Sequence, residues 1–298
     1  MKYTFLLPAY KGWFLDEMLR SIQAQTYRDF KVIISDDCSP EDLRSICEPY
    51  LSDPRFSYRR NAENMGSKSL VAHWNLLVSM CDTEFLILAS DDDVYEPTFL
   101  EEIDKLVTNN TNTDIFRGRA KLIDSNSNIL RIENGINNWL SQKQFSDILF
   151  SNELITCEAN YCYRTSTMKK NGGYVVFPSA WFSDDATHIK LSQNGCAITQ
   201  GVVFGYRSSD VSISNTWANE KDSENKTAAT IGFAKWVNNY DFLISNKDCT
   251  NKIKRNIQNN IYHCSFPFFL QSIIRIPKGL NINKGRMVLH YLRIKLFP

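Results

Sequence analysis

Glu84-Phe85-Leu86-Ile87-Leu88-Ala89-Ser90-Asp91-Asp92-Asp93-Val94-Tyr95-Glu96-Pro97 is the stretch on which the reading of this 298-residue chain turns. After Glu84 it runs apolar without alternation through Phe85-Leu86-Ile87-Leu88, the pattern of a strand buried on both faces of a parallel sheet. Three consecutive carboxylates follow at once. On the amino-terminal side, short β-type runs alternate with helical stripes: a strand at Tyr3–Leu7, a helix over Phe14–Ala24, a strand at Phe30–Ser35, a helix over Glu41–Leu51, a strand at Phe56–Arg60. Phe14, Leu15, Met18, Leu19 and Ile22 share one helical face, and Leu70, Val71, Trp74, Leu77 and Val78 share the next. On the other side a helix is expected over Pro97–Val107 and a strand over Asp114–Arg119. This is the α/β pattern of a Rossmann-like, mostly parallel sheet flanked by helices.

After residue 120 the alternation breaks down. A short helix is predicted near Gln144–Phe150, another ending at the Asn194-Gly195 pair, and a strand over Ala197–Tyr206. Residues 207–226 are polar and low in pattern, which predicts a loop, and helices are expected over Thr227–Leu243 and Asn251–Tyr262.

Composition narrows the classes. With 43% hydrophobic and 22% charged residues the chain can bury a core, and a net charge of +1 gives no field to recruit nucleic acid. Eight cysteines form no C-x-x-C and the four histidines lie near no cysteine pair, so reduced thiols and a cytoplasmic location are expected. The apolar start is broken by Pro8, Tyr10, Lys11 and Asp16-Glu17, too early for a secretory signal, and no run reaches the length of a membrane span.

Ligands of such sheets bind outside the carboxyl ends of the strands. The first strand runs into Pro8-Ala9-Tyr10, the second into Asp36-Asp37-Cys38-Ser39 and the fourth into Ser90-Asp91-Asp92-Asp93. No G-x-G-x-x-G or G-x-x-x-x-G-K-[ST] is present, so a dinucleotide fold or P-loop lacks its phosphate cradle. Adjacent carboxylates at a buried strand end repel one another unless a cation is present, and hard oxygen ligands suit Mg²⁺ or Mn²⁺. The plainer alternative is a solvated loop that caps the next helix.

In order, P-A-Y, D-D-x-S, R-N-x-x-N-x-G at Arg60–Gly66, S-D-D-D-V-Y-E-P and the acidic pair Asp184-Asp185 resemble the family-2 glycosyltransferases of the GT-A fold over roughly residues 2–215. The resemblance implies a catalytic domain over 1–225, with a nucleotide-binding half (1–119) and an acceptor-binding half (120–225). Residues 226–298, which carry no part of the resemblance, are expected to be a basic helical extension. It implies an inverting transfer of a sugar from a nucleotide diphosphate sugar, with UDP as the expected nucleotide, to a hydroxyl of a glycan or lipid-linked glycan in cell-surface polysaccharide synthesis.

By the same resemblance Pro8, Tyr10 and Asp37 hold the nucleotide base, while Asp36 braces the turn. Asn64 and Gly66 let the backbone pass close to the donor, with Arg60 and Lys68 as diphosphate contacts. Ala89 takes the place of the first Asp of the family's D-x-D pattern, so Asp91 is assigned to ribose or metal, Asp92 to Mn²⁺ or Mg²⁺, and Asp93 to the metal or to a supporting role. Cys38 stands where the family often has Gly. Asp185 corresponds to the catalytic base, with Asp184 beside it; Trp181 and Phe182 can stack on a sugar or belong to the core, and the four histidines are read as structural.

Two other classes stay open from the residues: a sugar-phosphate nucleotidyltransferase, for which Ala9-Tyr10-Lys11-Gly12 is a poor Gly-rich loop, and a non-catalytic carbohydrate-binding protein on a decayed fold. From Asn251 to Pro298 there are nine Lys/Arg and no acidic residue, interleaved with apolar clusters such as Phe266–Leu270. This suits an anionic membrane surface, with peripheral attachment to the inner face of the plasma membrane, or packing on the catalytic domain, or a homodimer contact.

Overall fold

The structure, a computed structural model, describes residues 1–151, 153–208 and 220–257. Strands β1 (Tyr3–Ala9), β2 (Phe30–Asp36), β3 (Phe56–Arg60) and β4 (Phe85–Leu88) pair in parallel in the order β3-β2-β1-β4. Helices α1 (Leu15–Gln23), α2 (Leu43–Cys47) and α3 (Gly66–Met80) make the crossovers. The expected second helix is shorter than its pattern, since Pro49 lies in a 3₁₀ turn over Glu48–Tyr50 that ends it. Beyond β4 come β5 (Val94–Tyr95), α4 (Phe99–Asn109), β6 (Ile115–Ile123), β7 (Ile129–Ile132), β8 (Trp139–Leu140) and α5 (Gln142–Leu149). They are followed by β9 (Tyr161–Arg164), α6 (Thr165–Lys170), α7 (Ser183–Leu191) and β10 (Cys196–Arg207).

The sheet continues β4-β9-β6-β10-β5, and β9 is antiparallel to both β4 and β6. Phe85, at the start of β4, pairs with Arg164, at the end of β9. The beginning of β9 therefore lies on the same rim as the carboxyl ends of β1, β2 and β4. That reversed strand was not anticipated from the sequence, and it brings residues just before Tyr161 to the rim formed by the carboxyl ends of the parallel strands. Under the sheet, Phe5, Leu7, Phe30, Val32 and Ile34 join Leu15, Met18, Leu19 and Ile22 of α1 in one buried core. Apolar burial of this kind stabilises by about 25 cal/mol per Å² removed from water.

Two compact units are distinguished. The first comprises Met1–Val176 and Asp184–Asn215, the second Phe177–Ser183 and Thr216–Pro298, set beside the division after residue 225 that the sequence suggested. Within the second unit α8 spans Glu220–Asn239 and α9 spans Asp241–Ser245, and residues 247–257 are helical. The expected loop to residue 226 is thus corrected: the helix starts seven residues before 227, because the apolar stripe that marks it (Ala229, Phe233, Ala234, Val237) begins more than a turn inside it. Residues 209–219 and the tail beyond 257 lie outside the described residues. Phe182 belongs to this core, stacked on Phe233 with centroids 4.6 Å apart, and Lys226 Nζ sits 4.6 Å above the Trp181 ring.

Candidate active site

Parallel register places Ala9 opposite Asp36 and Leu6 opposite Leu88, so the turns after β1, β2 and β4 share one rim. Asp91, half-buried there, accepts the backbone N–H groups of Tyr10 (2.9 Å) and Lys11 (2.8 Å). The acidic run is in this way tied to the turn after β1. Burial first and the Asp92 charge second push the Asp91 carboxyl up to about 6, against the pull of those two N–H donors. Pro8, at the end of β1, is half-buried, while Tyr10 remains 40% exposed.

The two aspartates after β2 do different work. Asp36, wholly buried, accepts from Ser39 N (2.8 Å), Tyr58 Oη (2.5 Å) and the Arg60 guanidinium, which also donates to the Ser39 carbonyl at 2.8 Å. It is the brace that was expected of it, and Arg60 is engaged with it. Asp37 accepts from Asn61 Nδ2 (2.7 Å), Met65 N (2.9 Å) and Gly66 N (2.7 Å). Both of its oxygens hold the 61–66 loop, whereas the sequence placed it on the base. A Cβ at Gly66 would lie 2.9 Å from Asp37 Oδ2, so only glycine allows this approach. Cys38, which follows Asp37, sits at φ +55°, the left-handed region that favours glycine, and the turn closes all the same. Asn64 Oδ1 accepts from Ser67 N at 2.8 Å at the start of α3, and Lys68 pairs with exposed Glu63 at 2.7 Å.

The three carboxylates after β4 diverge. Asp92 accepts from the Ser90 hydroxyl. Asp93 is buried and accepts Arg207 N at 2.8 Å. Arg207, with no exposure, donates to the Asp92 carbonyl (2.7 Å), the Asp124 carbonyl (3.0 Å), Ser127 Oγ (3.1 Å) and Glu17 Oε2 (2.7 Å). Asp93, read from the sequence as a metal contact or a supporting residue, thus holds the end of β10 through the Arg207 backbone. Among the described residues no three Asp, Glu, His or Cys side chains converge as a metal centre. Asp92, with Asp91, fits a hard cation only where donor phosphates complete the coordination, which is the common arrangement for Mg²⁺ and Mn²⁺.

Asp184 and Asp185 open α7, both half-buried, with Asp185 N donating to Asp184 Oδ1 at 3.0 Å. Burial raises both carboxyls; next in weight for Asp185 is the charge of Asp184, and the charge of Glu158 raises both. Glu158, three residues before β9, accepts from Tyr163 Oη at 2.7 Å and from Tyr174 Oη, and its other oxygen faces His188 Nε2 at 3.0 Å. Burial pushes Glu158 up to about 8 and His188 down to about 4. Tyr174 is aimed by Asn75, which donates to its carbonyl (3.1 Å) and accepts from its N–H (2.7 Å); a Cβ at Gly173, where φ is +78°, would collide with Asn75 Oδ1. A fully buried ion pair fixes the other approach: Arg117 and Glu133 bond bidentately, and together they hold the Ile155 carbonyl and N–H.

Sequence reading missed Glu158, Tyr174 and Arg207 as site residues and left His188 as structural. A lone Glu in Thr-Cys-Glu-Ala-Asn carries no motif. Its partners are spread over thirty residues and meet only through the reversed strand β9.

This chain belongs to glycosyl transferase family 2, whose profile it matches over residues 4–172. The mixed sheet with flanking helices is the GT-A fold. Among curated proteins it is 24% identical over 186 residues to the poly(ribitol-phosphate) β-N-acetylglucosaminyltransferase TarS of Staphylococcus aureus, 58% of this chain and 29% of that one. It thus spans less than a third of that relative. Among solved structures, S. aureus TarS 1–349 in complex with UDP-GlcNAc superposes with a TM-score of 0.65 at 18% identity, covering 81% of this chain and 68% of that one. The mannosyltransferase PcManGT of Pyrobaculum calidifontis, in complex with GDP-Man and Mn²⁺, gives 0.60 at 11% identity over 98% and 84%.

Proposed function

We propose that the protein is an inverting, UDP-sugar-dependent transferase that passes its sugar to a hydroxyl of a glycan or lipid-linked glycan. The observation that carries this reading is the shared rim: Asp91 bound to the Tyr10–Lys11 turn, and Glu158 before the reversed strand β9, within 3.0 Å of His188 on the helix that Asp184 and Asp185 open. Tyr10, exposed beside Asp91, supplies a ring for the base, a contact worth about 1 kcal/mol. Pro8 borders it. Asp37, by holding Met65 and Gly66, shapes the floor along which Asn64 and Lys68 approach the diphosphate.

Mn²⁺ or Mg²⁺ on Asp92 and Asp91, completed by the donor's phosphates, would neutralise the charge that grows on the departing diphosphate. Asp185 takes the proton from the acceptor hydroxyl as that oxygen attacks the anomeric carbon in line with the leaving group. An elevated carboxyl suits this task, since the hydroxyl becomes acidic only as the C–O bond forms.

The test is calorimetry with UDP, with and without Mn²⁺, on parent and Asp92→Ala. The parent should bind more tightly with Mn²⁺, and the variant should lose that difference while keeping its fold. Equal Mn²⁺ dependence in both would remove Asp92 from the metal.

A further inference from the structure

His73, on α3, is buried, and its Nε2 has two polar neighbours: Ser35 Oγ of β2 at 3.0 Å and Asn61 Nδ2, just after β3, at 3.2 Å. Asn61 Nδ2 also donates to Asp37 Oδ1 at 2.7 Å. That bond fixes which way the amide faces, because an amide oxygen in its place would meet the carboxylate acceptor to acceptor. The second N–H of the amide is left for His73 Nε2, which must accept it, so the ring proton sits on Nδ1. Nδ1 lies 3.6 Å from Asp37 Oδ2, the oxygen that takes the Gly66 N–H at 2.7 Å. Asn61 Oδ1 is buried with no partner, so Asp37 and His73 alone hold this side chain. Ser35, His73, Asn61 and Asp37 form a buried polar chain that ends on the 61–66 loop.

Resting on the role given above to the 61–66 loop in the nucleotide-sugar site, we propose that His73 is a positioning residue of that site, a latch that holds Asn61 and Asp37 in their binding arrangement only while its ring is neutral. Protonation puts a hydrogen on Nε2 as well, and two N–H groups then face each other across 3.2 Å. The new N–H can turn to Ser35 Oγ. Asn61 is left with a buried N–H that has no acceptor, and it must turn away, straining its bond to Asp37. The charged groups that face the ring are Asp37, which favours protonation, and Arg59 of β3, which opposes it. Burial, the largest influence, leaves His73 below its ordinary range. The latch is therefore closed at neutral pH and opens in acid.

His73→Gln offers Asn61 an amide oxygen that does not titrate, and His73→Leu offers no acceptor. Calorimetry with UDP from about pH 7.5 down to about pH 5 compares both with the parent, across the range in which an ordinary histidine titrates. Taking each affinity relative to the parent's cancels the titration of UDP itself. We expect the Gln variant to match the parent at the upper end and to bind about fivefold more tightly than the parent at the lower end, the worth of one hydrogen bond. The Leu variant should bind about fivefold more weakly than the parent at the upper end. A merely structural side chain would shift the affinities without changing their pH dependence, so ratios that stay constant with pH overturn the proposal. Should the variants not fold, ¹⁵N NMR of the full parent chain decides without UDP. An Nδ1–H tautomer whose protonation displaces the Gly66 amide signal supports the latch; an Nε2–H tautomer, or a protonation that leaves Gly66 unmoved, overturns it. A parent that binds no UDP at any pH refutes the nucleotide-sugar site itself, and the inference falls with it, so the two failures are told apart.

Discussion

The backbone N–H of Arg207 donates to the buried carboxylate of Asp93 at 2.8 Å, and through this bond the end of the longest strand is fastened to the acidic run. The guanidinium adds bonds to the Asp92 carbonyl and Glu17 and lies 4.3 Å from the Phe14 ring. One residue thereby ties β10, α1 and the turn after β4 together at the rim.

Arg207→Ala should therefore destabilise the chain by about 3–5 kcal/mol, since it leaves buried acceptors without their donors. Arg207→Lys should recover little, because an ammonium cannot reproduce the planar fork. Urea unfolding checks both. A midpoint unchanged in the alanine variant would mean that the Arg207 bonds contribute nothing to the fold.

At Gly66 the added methyl of Gly66→Ala would stand 2.9 Å from Asp37 Oδ2. The loop or the carboxylate must yield, and the expected result is UDP affinity weakened about tenfold, or about 1.4 kcal/mol, with secondary structure retained. Calorimetry gives the answer directly; an unaltered dissociation constant would mean that the 61–66 loop does not shape the donor site.

The parallel half of the sheet was legible because β1 and β4 are mostly apolar runs and its helices carry clean stripes; Phe56–Arg60 was placed to the residue. The second half was not. β9 is four residues, Tyr-Cys-Tyr-Arg, with no turn signal to announce it, and its antiparallel insertion depends on long-range pairing that no local pattern encodes. The early turns of α8 read as loop because their residues are polar. In the site, Asp36 was identified as a brace from its place in the turn. For Asp93 the metal and a supporting role both stayed open in an unbroken acidic run, because its partner is Arg207, 114 residues away.

Stability should depend on pH through the burial of Glu158 and His188. Glu158 is raised in the folded chain to about 8, so its contribution is complete below its unfolded value and is lost as pH rises toward 8. His188 is depressed to about 4, so its contribution is complete above the unfolded value of about 6.5 and is lost as pH falls toward 4. Urea midpoints from pH 5 to 9 should fall on the alkaline side in the parent and fall less in Glu158→Gln. Parallel curves for the two proteins would contradict this.

For the basic stretch after Asn251, outside the described residues beyond 257, we propose attachment to anionic lipid. Among the described residues no helix is long and apolar enough to cross a membrane. Each engaged basic residue contributes about 1 kcal/mol at such a surface. Changing Arg275, Lys278, Lys284 and Arg286 together to Gln should release the full chain from phosphatidylserine vesicles at low salt in a sedimentation assay. If parent and variant pellet equally, the charges are used elsewhere, in packing or in a dimer.

The central claim is that Asp185 takes the acceptor's proton in a sugar transfer, and Asp185→Asn tests it most directly, with donor affinity and turnover measured on the same preparation. The amide nearly matches the carboxylate in shape and cannot accept the proton. The account requires UDP to bind as it does to the parent while transfer is lost. Transfer at the parental rate would contradict it.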